Sequence, residues 1–374
     1  MAFSNGIVSM ANVAIIFGGV SPEHDISILT GLQAERGVDA RKHRVIPIFV
    51  AKNGDFFVAP NNLEAPNYGS GAPKDSTHVN LVIGGDSGFY TQPKALGKAK
   101  KIEVDIVVNC LHGGPGEDGT MQSLLDLAQI RYTGPNALGA ALGMDKFAFG
   151  GACDALGISH LDRALFVDGS EISFPGPYIM KPRYGGSSIG IDVVADVETA
   201  RARMKSNVHF KAGAVVEPYR EDLFDLQIAV KTYPSLTLSQ IERPLRDRSR
   251  GEILSYKDKY VGGSGMVEAP RELPAKLAPH IEEKMRQYAT LLAKAIPLRG
   301  VTRIDFLSNG EDELYVNEVN TIPGSLSKYL FIDPPLPFTA LLEDLIFSSM
   351  WGANLAGSSR GASTIPLPPT YLSL

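Results

Sequence analysis

Three oxygen donors, Asp305, Glu318 and Asn320, are spaced as two β-strands able to face one another would space them. In Val301-Thr302-Arg303-Ile304-Asp305-Phe306, strand alternation puts Arg303 and Asp305 on one face and Thr302, Ile304 and Phe306 on the other. In Val316-Asn317-Glu318-Val319-Asn320 the same period groups Glu318 with Asn320. The intervening 308–313, with Asn309-Gly310, reads as a turn, so the strands can pair and gather the three donors into one patch. Hard oxygen ligands without cysteine or histidine suit Mg²⁺ shared with substrate phosphates. The competing reading is two solvated strand faces with a surface salt bridge to Arg303.

A second candidate joins two β-rich runs. Lys181-Pro182-Arg183-Tyr184-Gly185-Gly186-Ser187-Ser188-Ile189-Gly190 offers backbone N–H groups and two hydroxyls to an anion, with Lys181 alongside. An ordinary glycine hairpin is the alternative. Gly114-Pro115-Gly116-Glu117-Asp118-Gly119 satisfies GxGxxG, but the next strand, 130–134, lacks the ribose-binding acid, and Glu117-Asp118 would repel a pyrophosphate. Nicotinamide and flavin binding are therefore disfavoured. No Walker-type loop, GxSxG elbow or activated-cysteine signature is present, and the seven histidines show no metal spacing.

The elements that must position these groups follow from the pattern of apolar runs. A β-branched run at 13–17, a helix over 25–42 and an apolar run at 44–50 form a βαβ opening, and 104–110 adds a buried strand before the glycine-rich loop. A helix over 120–128 and a strand at 130–133 complete an α/β unit over 11–135. From Asp145 a helix to Leu156 and strands at 178–181 and 191–194 suggest a small α+β unit, 136–216. Strands at 226–230, 301–306 and 315–319, with a helix presenting Ile281, Met285, Tyr288 and Leu292 on one face, make a third unit, 217–351. The fold class is thus mixed α/β and α+β, with a parallel sheet first.

The 374 residues, 44% hydrophobic and 21% charged, can bury a core without staples. Lysine plus arginine number 36 against 41 acids, a net charge of −5 with no basic cluster, which argues against nucleic-acid or membrane-surface partners. Two isolated cysteines, Cys110 and Cys153, suit a reducing cytosol and exclude structural zinc. No apolar run reaches bilayer length. Residues 1–10 lack signal-peptide features and read as a frayed leader with Met10 as an alternative start, and 352–374 read as a disordered tail.

In order along the chain, five blocks resemble the D-alanine–D-alanine ligase family of the ATP-grasp superfamily: Gly18-Gly19-Val20-Ser21-Pro22-Glu23-His24-Asp25-Ile26-Ser27; His112-Gly113 with Gly116-Glu117-Asp118-Gly119; Asp145-Lys146; Lys181-Pro182 with Gly186-Ser187-Ser188; and Arg303-Ile304-Asp305 leading to Glu318-Val319-Asn320-Thr321 and Pro323-Gly324. The resemblance spans about 12–345. It implies a three-domain ATP-grasp architecture and a soluble ligase of the cytoplasm. The enzyme would phosphorylate one D-alanine carboxylate with ATP, then join a second D-alanine to give a dipeptide for peptidoglycan. A homodimer is implied by the family alone.

By the same resemblance, Lys146 and Lys181 touch nucleotide phosphates, and Ser187 and Ser188 belong to a loop closing over them. Asp305, Glu318 and Asn320 hold Mg²⁺, or Mn²⁺ in its place. Arg303 and the Gly324 N–H stabilise the tetrahedral oxyanion, and Glu23 holds the first substrate's ammonium, linked through Ser187 to Tyr260. Lys259 reaches the γ-phosphate, Glu217 lies near adenine and Asp225 near the ribose. Two departures stand out. Lys257-Asp258 replaces the usual Glu-Ala before Lys259, and Tyr329 occupies the position of a serine that grips the acceptor carboxylate. The acceptor is therefore either D-alanine or another amino or hydroxy acid. A catalytically silent nucleotide-binding regulatory protein is the reading from another class.

Overall fold

The computed structural model describes residues 10–93, 97–245 and 270–351. The first β-branched run becomes β1 (Ala11–Gly18), buried almost throughout, as the centre of a parallel sheet must be. Around it lie β2 (His43–Val50), β3 (Phe56–Val58), β4 (Thr77–Val82), β5 (Gly88–Thr91), β6 (Lys101–Ile102), β7 (Ile106–Asn109) and β8 (Arg131–Tyr132). The order is β6-β5-β4-β3-β2-β1-β7-β8. Pairing is parallel from β2 through β1 and β7 to β8, and antiparallel from β2 outward to β6. The expected parallel sheet is thus half of a mixed one. The antiparallel half is built of short strands that are mostly partly exposed.

Between β1 and β2 the helix is His24–Gly37, five residues shorter at its end than its apolar pattern suggests. Asp39 stops it: its carboxylate accepts the Arg41 backbone N–H at 3.1 Å and its carbonyl accepts from Lys42 and His43, a turn that competes with helix. Gly31 lets this helix lie on β1, since a Cβ there would sit 2.4 Å from Phe17.

The second sheet comprises β9 (Ala164–Phe166), β10 (Tyr178–Pro182), β11 (Asp192–Val194) and β12 (Ala214–Pro218), in the order β11-β10-β12-β9 and antiparallel throughout. The third contains β13 (Phe224–Lys231) and β14 (Thr237–Leu238); a ribbon of β15 (Arg243–Pro244) and β16 (Arg271–Glu272) follows, and β17 (Val301–Ser308) and β18 (Leu314–Asn320) complete the third sheet as β14-β13-β17-β18.

Two helices pack against sheets remote from them in sequence. Phe149 and Cys153 of the helix Lys146–Ala155 pack with Leu226, Ile304 and Phe306, in the third sheet's core rather than the second's. Leu341, Leu342, Leu345 and Ile346 of the last helix, Phe338–Trp351, pack with Val13, Ile15 and Phe17 of the first sheet. Strand β12 also runs across the 216/217 division. The helix Pro279–Ala295 buries Ile281, Met285 and Leu292 as its spacing requires, with Ala289 beside them and Tyr288 only half-buried. Among the described residues no helix is long and apolar enough to cross a membrane, and both cysteines are free and buried.

Candidate active site

Strands β17 and β18 pair as their polar alternation suggests, with Arg303 opposite Asn320 and Asp305 opposite Glu318. Arg303 forms a bidentate pair with Asp305, Nε to Oδ1 at 2.7 Å and Nη2 to Oδ2 at 2.8 Å, and Asn320 Nδ2 donates to Asp305 Oδ2 at 3.1 Å. Asp305 is 7% exposed and Arg303 9%, which removes the reading of solvated strand faces. A register shift follows Asp305: Phe306 pairs with Val316, leaving Asn317 as an extra residue on β18. Such a bulge re-aims side chains. Asn317 and Glu318, which strict alternation would send to opposite faces, both line one cavity with Asp305.

That cavity, about 470 Å³, lies between the second and third sheets and collects Lys146, Lys181, Ser188, Glu217 and Asp225. Leu161, Ile179, Ile191 and Leu307 supply an apolar wall. Lys181 projects from β10 on the face it shares, by cross-strand register, with Glu217 of β12. Its Nζ donates to Glu217 Oε2 at 2.5 Å and to Asn317 Oδ1 at 2.8 Å. Burial pulls the Lys181 pKa down against the attraction of Glu217. Burial would raise Glu217, but the cations of Lys181 and Arg163 outweigh it and hold the carboxyl below its usual range. Lys146 opens its helix next to Asp145, which caps it by accepting from the N–H groups of Phe147 and Ala148 and also binds Arg183 twice at 3.0 and 2.6 Å. The Lys146 ammonium donates to Gly185 O and lies 3.5 Å from Glu318 Oε2.

A second cavity, about 560 Å³, adjoins the first at Gly185–Gly186 and is lined by Glu23, Ser21, Asp118 and Met144. Glu23 stands where a helix cap belongs yet makes no side-chain cap bond; its carboxylate instead accepts the Ser187 hydroxyl. The loop around Ser187 turns through left-handed backbone at Ser187 and Ser188, φ 53° and 59°. Gly113 makes room for Glu23, because a Cβ there would lie 2.4 Å from Glu23 Oε2.

The turn Gly324–Leu330 follows β18 in the chain and begins at Gly324. Ser325, Leu326 and Ser327 all have φ near +50°, a conformation costing about 1–2 kcal/mol per residue. Neighbours hold it. Ser325 N donates to Thr30 Oγ1 at 3.1 Å, Thr30 contacts His112 Nε2 at 2.8 Å, and Glu117 Oε1 accepts from Ile322 N and Thr321 Oγ1. Burial pushes His112 down to about 4, whereas burial and then the charge of Glu23 push Glu117 up to about 7.

These two groups oppose one another in stability. As pH falls from 6.5 to 4, the unfolded chain protonates a histidine that folded His112 leaves neutral, so stability is lost, roughly 3 kcal/mol at full effect. Between pH 4.5 and 7 the folded Glu117 keeps a proton the unfolded chain releases, so its contribution falls as pH rises. In His112→Gln only the second slope remains. Its urea midpoint relative to wild type should therefore rise as pH is lowered from 6.5 towards 4.5; parallel curves would refute the assignment.

Of the sequence-predicted residues, Lys146, Lys181, Ser188, Glu217, Asp225, Asp305 and Glu318 meet at the first cavity and Glu23 lines the second. Ser187 bonds to Glu23, and Arg303 and Asn320 flank Asp305. Lys259 and Tyr260 lie outside the described residues, as does the tail 352–374. Two participants escaped the sequence reading. Asn317 was hidden by the bulge; Arg163, whose guanidinium lies 2.7 Å from Glu217 Oε1, has no motif to mark it.

Among the described residues no group of three or more His, Cys, Asp and Glu is placed to hold a metal. The donor set here is two carboxylates and one amide, which fits Mg²⁺, an ion usually held by one or two carboxylates together with phosphate oxygens.

Residues 12–135 match the family model described as the D-ala D-ala ligase N-terminus, and residues 162–346 the one described as the D-ala D-ala ligase C-terminus. The D-alanine–D-alanine ligase of a Nitratiruptor species is 34% identical over 338 residues, covering 89% of this chain and 92% of that relative. The solved VanG D-Ala:D-Ser ligase from Enterococcus faecalis matches with a TM-score of 0.74 at 25% identity, over 91% of this chain and 99% of that one. The D-alanine–D-alanine ligase structure from Helicobacter pylori matches at 0.70 and 29%, over 90% and 99%. Since both halves of the pattern occur in order over most of the length, the chain belongs to the D-alanine–D-alanine ligase family.

Proposed function

We propose that the protein is an ATP-dependent ligase that activates the carboxylate of one D-alanine as an acyl phosphate and joins it to the amine of a second, giving D-alanyl-D-alanine for peptidoglycan. The observation that carries this reading is the junction of two cavities at Gly185–Gly186, one lined by lysines and carboxylates suited to a nucleotide, the other by Glu23 suited to an ammonium group.

Lys181 and Lys146 neutralise phosphate oxygens from a dry floor, where each charge acts more strongly than in water. Asp305, Glu318 and Asn320 would hold Mg²⁺, which when bound shields the negative charge of the transferring phosphoryl group. Glu23 orients the ammonium of the first D-alanine so that its carboxylate faces the phosphates, and Ser187 fixes the Glu23 carboxylate. Arg303 and the Gly324 N–H receive the charge on the oxygen of the tetrahedral intermediate. The apolar wall takes the adenine, with Glu217 beside it and Asp225 near the ribose. By the family resemblance Lys259 would serve the γ-phosphate and Tyr260 would act through Ser187. The same reading takes 11–135, 136–216 and 217–351 as the three functional units, working in the cytoplasm as a homodimer.

A different acceptor is the second reading, and Tyr329 favours it. Its ring is half-buried beneath the Arg271 guanidinium at 4.8 Å, in the stretch following Gly324. A phenol in place of a serine narrows an acceptor pocket and changes the groups it presents. Measuring ADP release and product identity with D-alanine alone, then with a panel of D- and L-amino and hydroxy acids, separates the readings. Dipeptide from D-alanine alone supports the first. ADP release only with another acceptor transfers the substrate and keeps the chemistry, and no ADP release with any acceptor removes the ligase reading in favour of a silent nucleotide-binding protein.

A further inference from the structure

We propose that Arg163 is a positioning residue that sets the charge of the nucleotide cavity, keeping Lys181 available to a polyphosphate by sharing Glu217 with it; this rests on the nucleotide reading of that cavity. Arg163 precedes β9, and its side chain is only 4% exposed. Its Nε lies 2.7 Å from Glu217 Oε1, while Lys181 Nζ takes the other carboxylate oxygen at 2.5 Å. Two buried cations therefore share this one carboxylate, and Glu318, which also acts on Lys181, lies 3.5 Å from the Lys146 ammonium. Because Glu217 divides its charge between Arg163 and Lys181, the Lys181 ammonium is less fully neutralised by it than in a simple pair, and an anion entering above gains from that.

The rest of the guanidinium aims the surrounding groups. Nη1 donates to the Lys146 carbonyl at 3.0 Å and Nη2 to the Asn317 carbonyl, so one side chain ties the start of a helix, the β18 bulge and Glu217 together. Space for its stem comes from Gly150, where a Cβ would lie 3.0 Å from Arg163 Cδ. Without Arg163, Glu217 would be satisfied by Lys181 alone, and the floor would present a neutral pair to a highly charged anion.

The test is ATP affinity by calorimetry on the full chain, together with KM for ATP and for D-alanine. Arg163→Met should weaken ATP binding by about 30-fold and raise KM for ATP in parallel, with KM for D-alanine within about twofold. Arg163→Lys, which restores the charge but not the fork of donors, should recover affinity to within about fivefold of wild type. If the methionine variant does not fold, Arg163→Gln, which keeps a donor to the carbonyls without the charge, takes its place with the same expected loss. Wild-type affinity in the neutral variant would overturn the inference. So would a lysine variant as weak as the neutral one, which would reduce Arg163 to scaffolding. Absence of ATP binding by the wild type would instead overturn the nucleotide reading itself.

Discussion

Replacing Glu318 with alanine should cut D-alanine-dependent ADP release by about 10³-fold while the protein stays folded. Glu318 stands opposite Asp305 in register, lines the nucleotide cavity and lies 3.5 Å from the Lys146 ammonium. Its side chain is 27% exposed and Lys146 keeps its bond to the Gly185 carbonyl, so unfolding should be little changed. What is lost is one of the two carboxylates available to a divalent cation, together with the group that steadies Lys146. Phosphoryl transfer depends almost wholly on positioning and charge neutralisation, so losing both acts on the barrier itself. Asp305→Ala should be as inactive but less informative, because it breaks the bidentate pair with the buried Arg303 guanidinium, a loss of about 3–5 kcal/mol in comparable pairs. A coupled ADP assay beside circular dichroism checks the Glu318 variant. Turnover within tenfold of wild type would remove Glu318 from the metal set.

Lys181→Met should lower kcat/KM for ATP by about 10²- to 10³-fold. Lys181 is 6% exposed and held by Glu217 and Asn317, so its ammonium is pre-oriented and poorly hydrated, the condition in which a charge gains most from an incoming phosphate. Methionine fills a similar volume but leaves Glu217 paired to Arg163, so the cavity loses a positive charge as well as a contact. The loss should appear mainly in KM for ATP, with KM for D-alanine little altered, since Glu23, held by Ser187, lines a separate cavity. Equal losses for both substrates would mean general damage to the cleft.

Much of this cleft could be read from the chain, for reasons that differ element by element. The period of two in 301–306 and 316–320 announced that Arg303 shares a face with Asp305 and Glu318 with Asn320, because side chains alternate across a strand. Asp145 was legible as the start of a helix because a carboxylate there satisfies free N–H groups. The bulge at Asn317 was not legible: a one-residue insertion leaves the hydrophobic pattern on either side intact. Nor were the contributions of Arg163, or of the last helix to the first sheet, since both depend on contacts between segments far apart in sequence that no local pattern records. The helix His24–Gly37 was overextended because apolar residues continue past the turn that Asp39 imposes. Glu23 was found by resemblance. Its physics became visible only with the fold, where a cap position gives up its capping bond to reach Ser187.

The most direct test of the central claim follows oxygen rather than rate. D-alanine labelled with ¹⁸O in its carboxylate is incubated with ATP, Mg²⁺ and the protein, and the phosphate released is analysed by ³¹P NMR or mass spectrometry. Activation by phosphorylation of the carboxylate predicts one ¹⁸O in each phosphate released with the ligated product. Ligated product accompanied by unlabelled phosphate would contradict it.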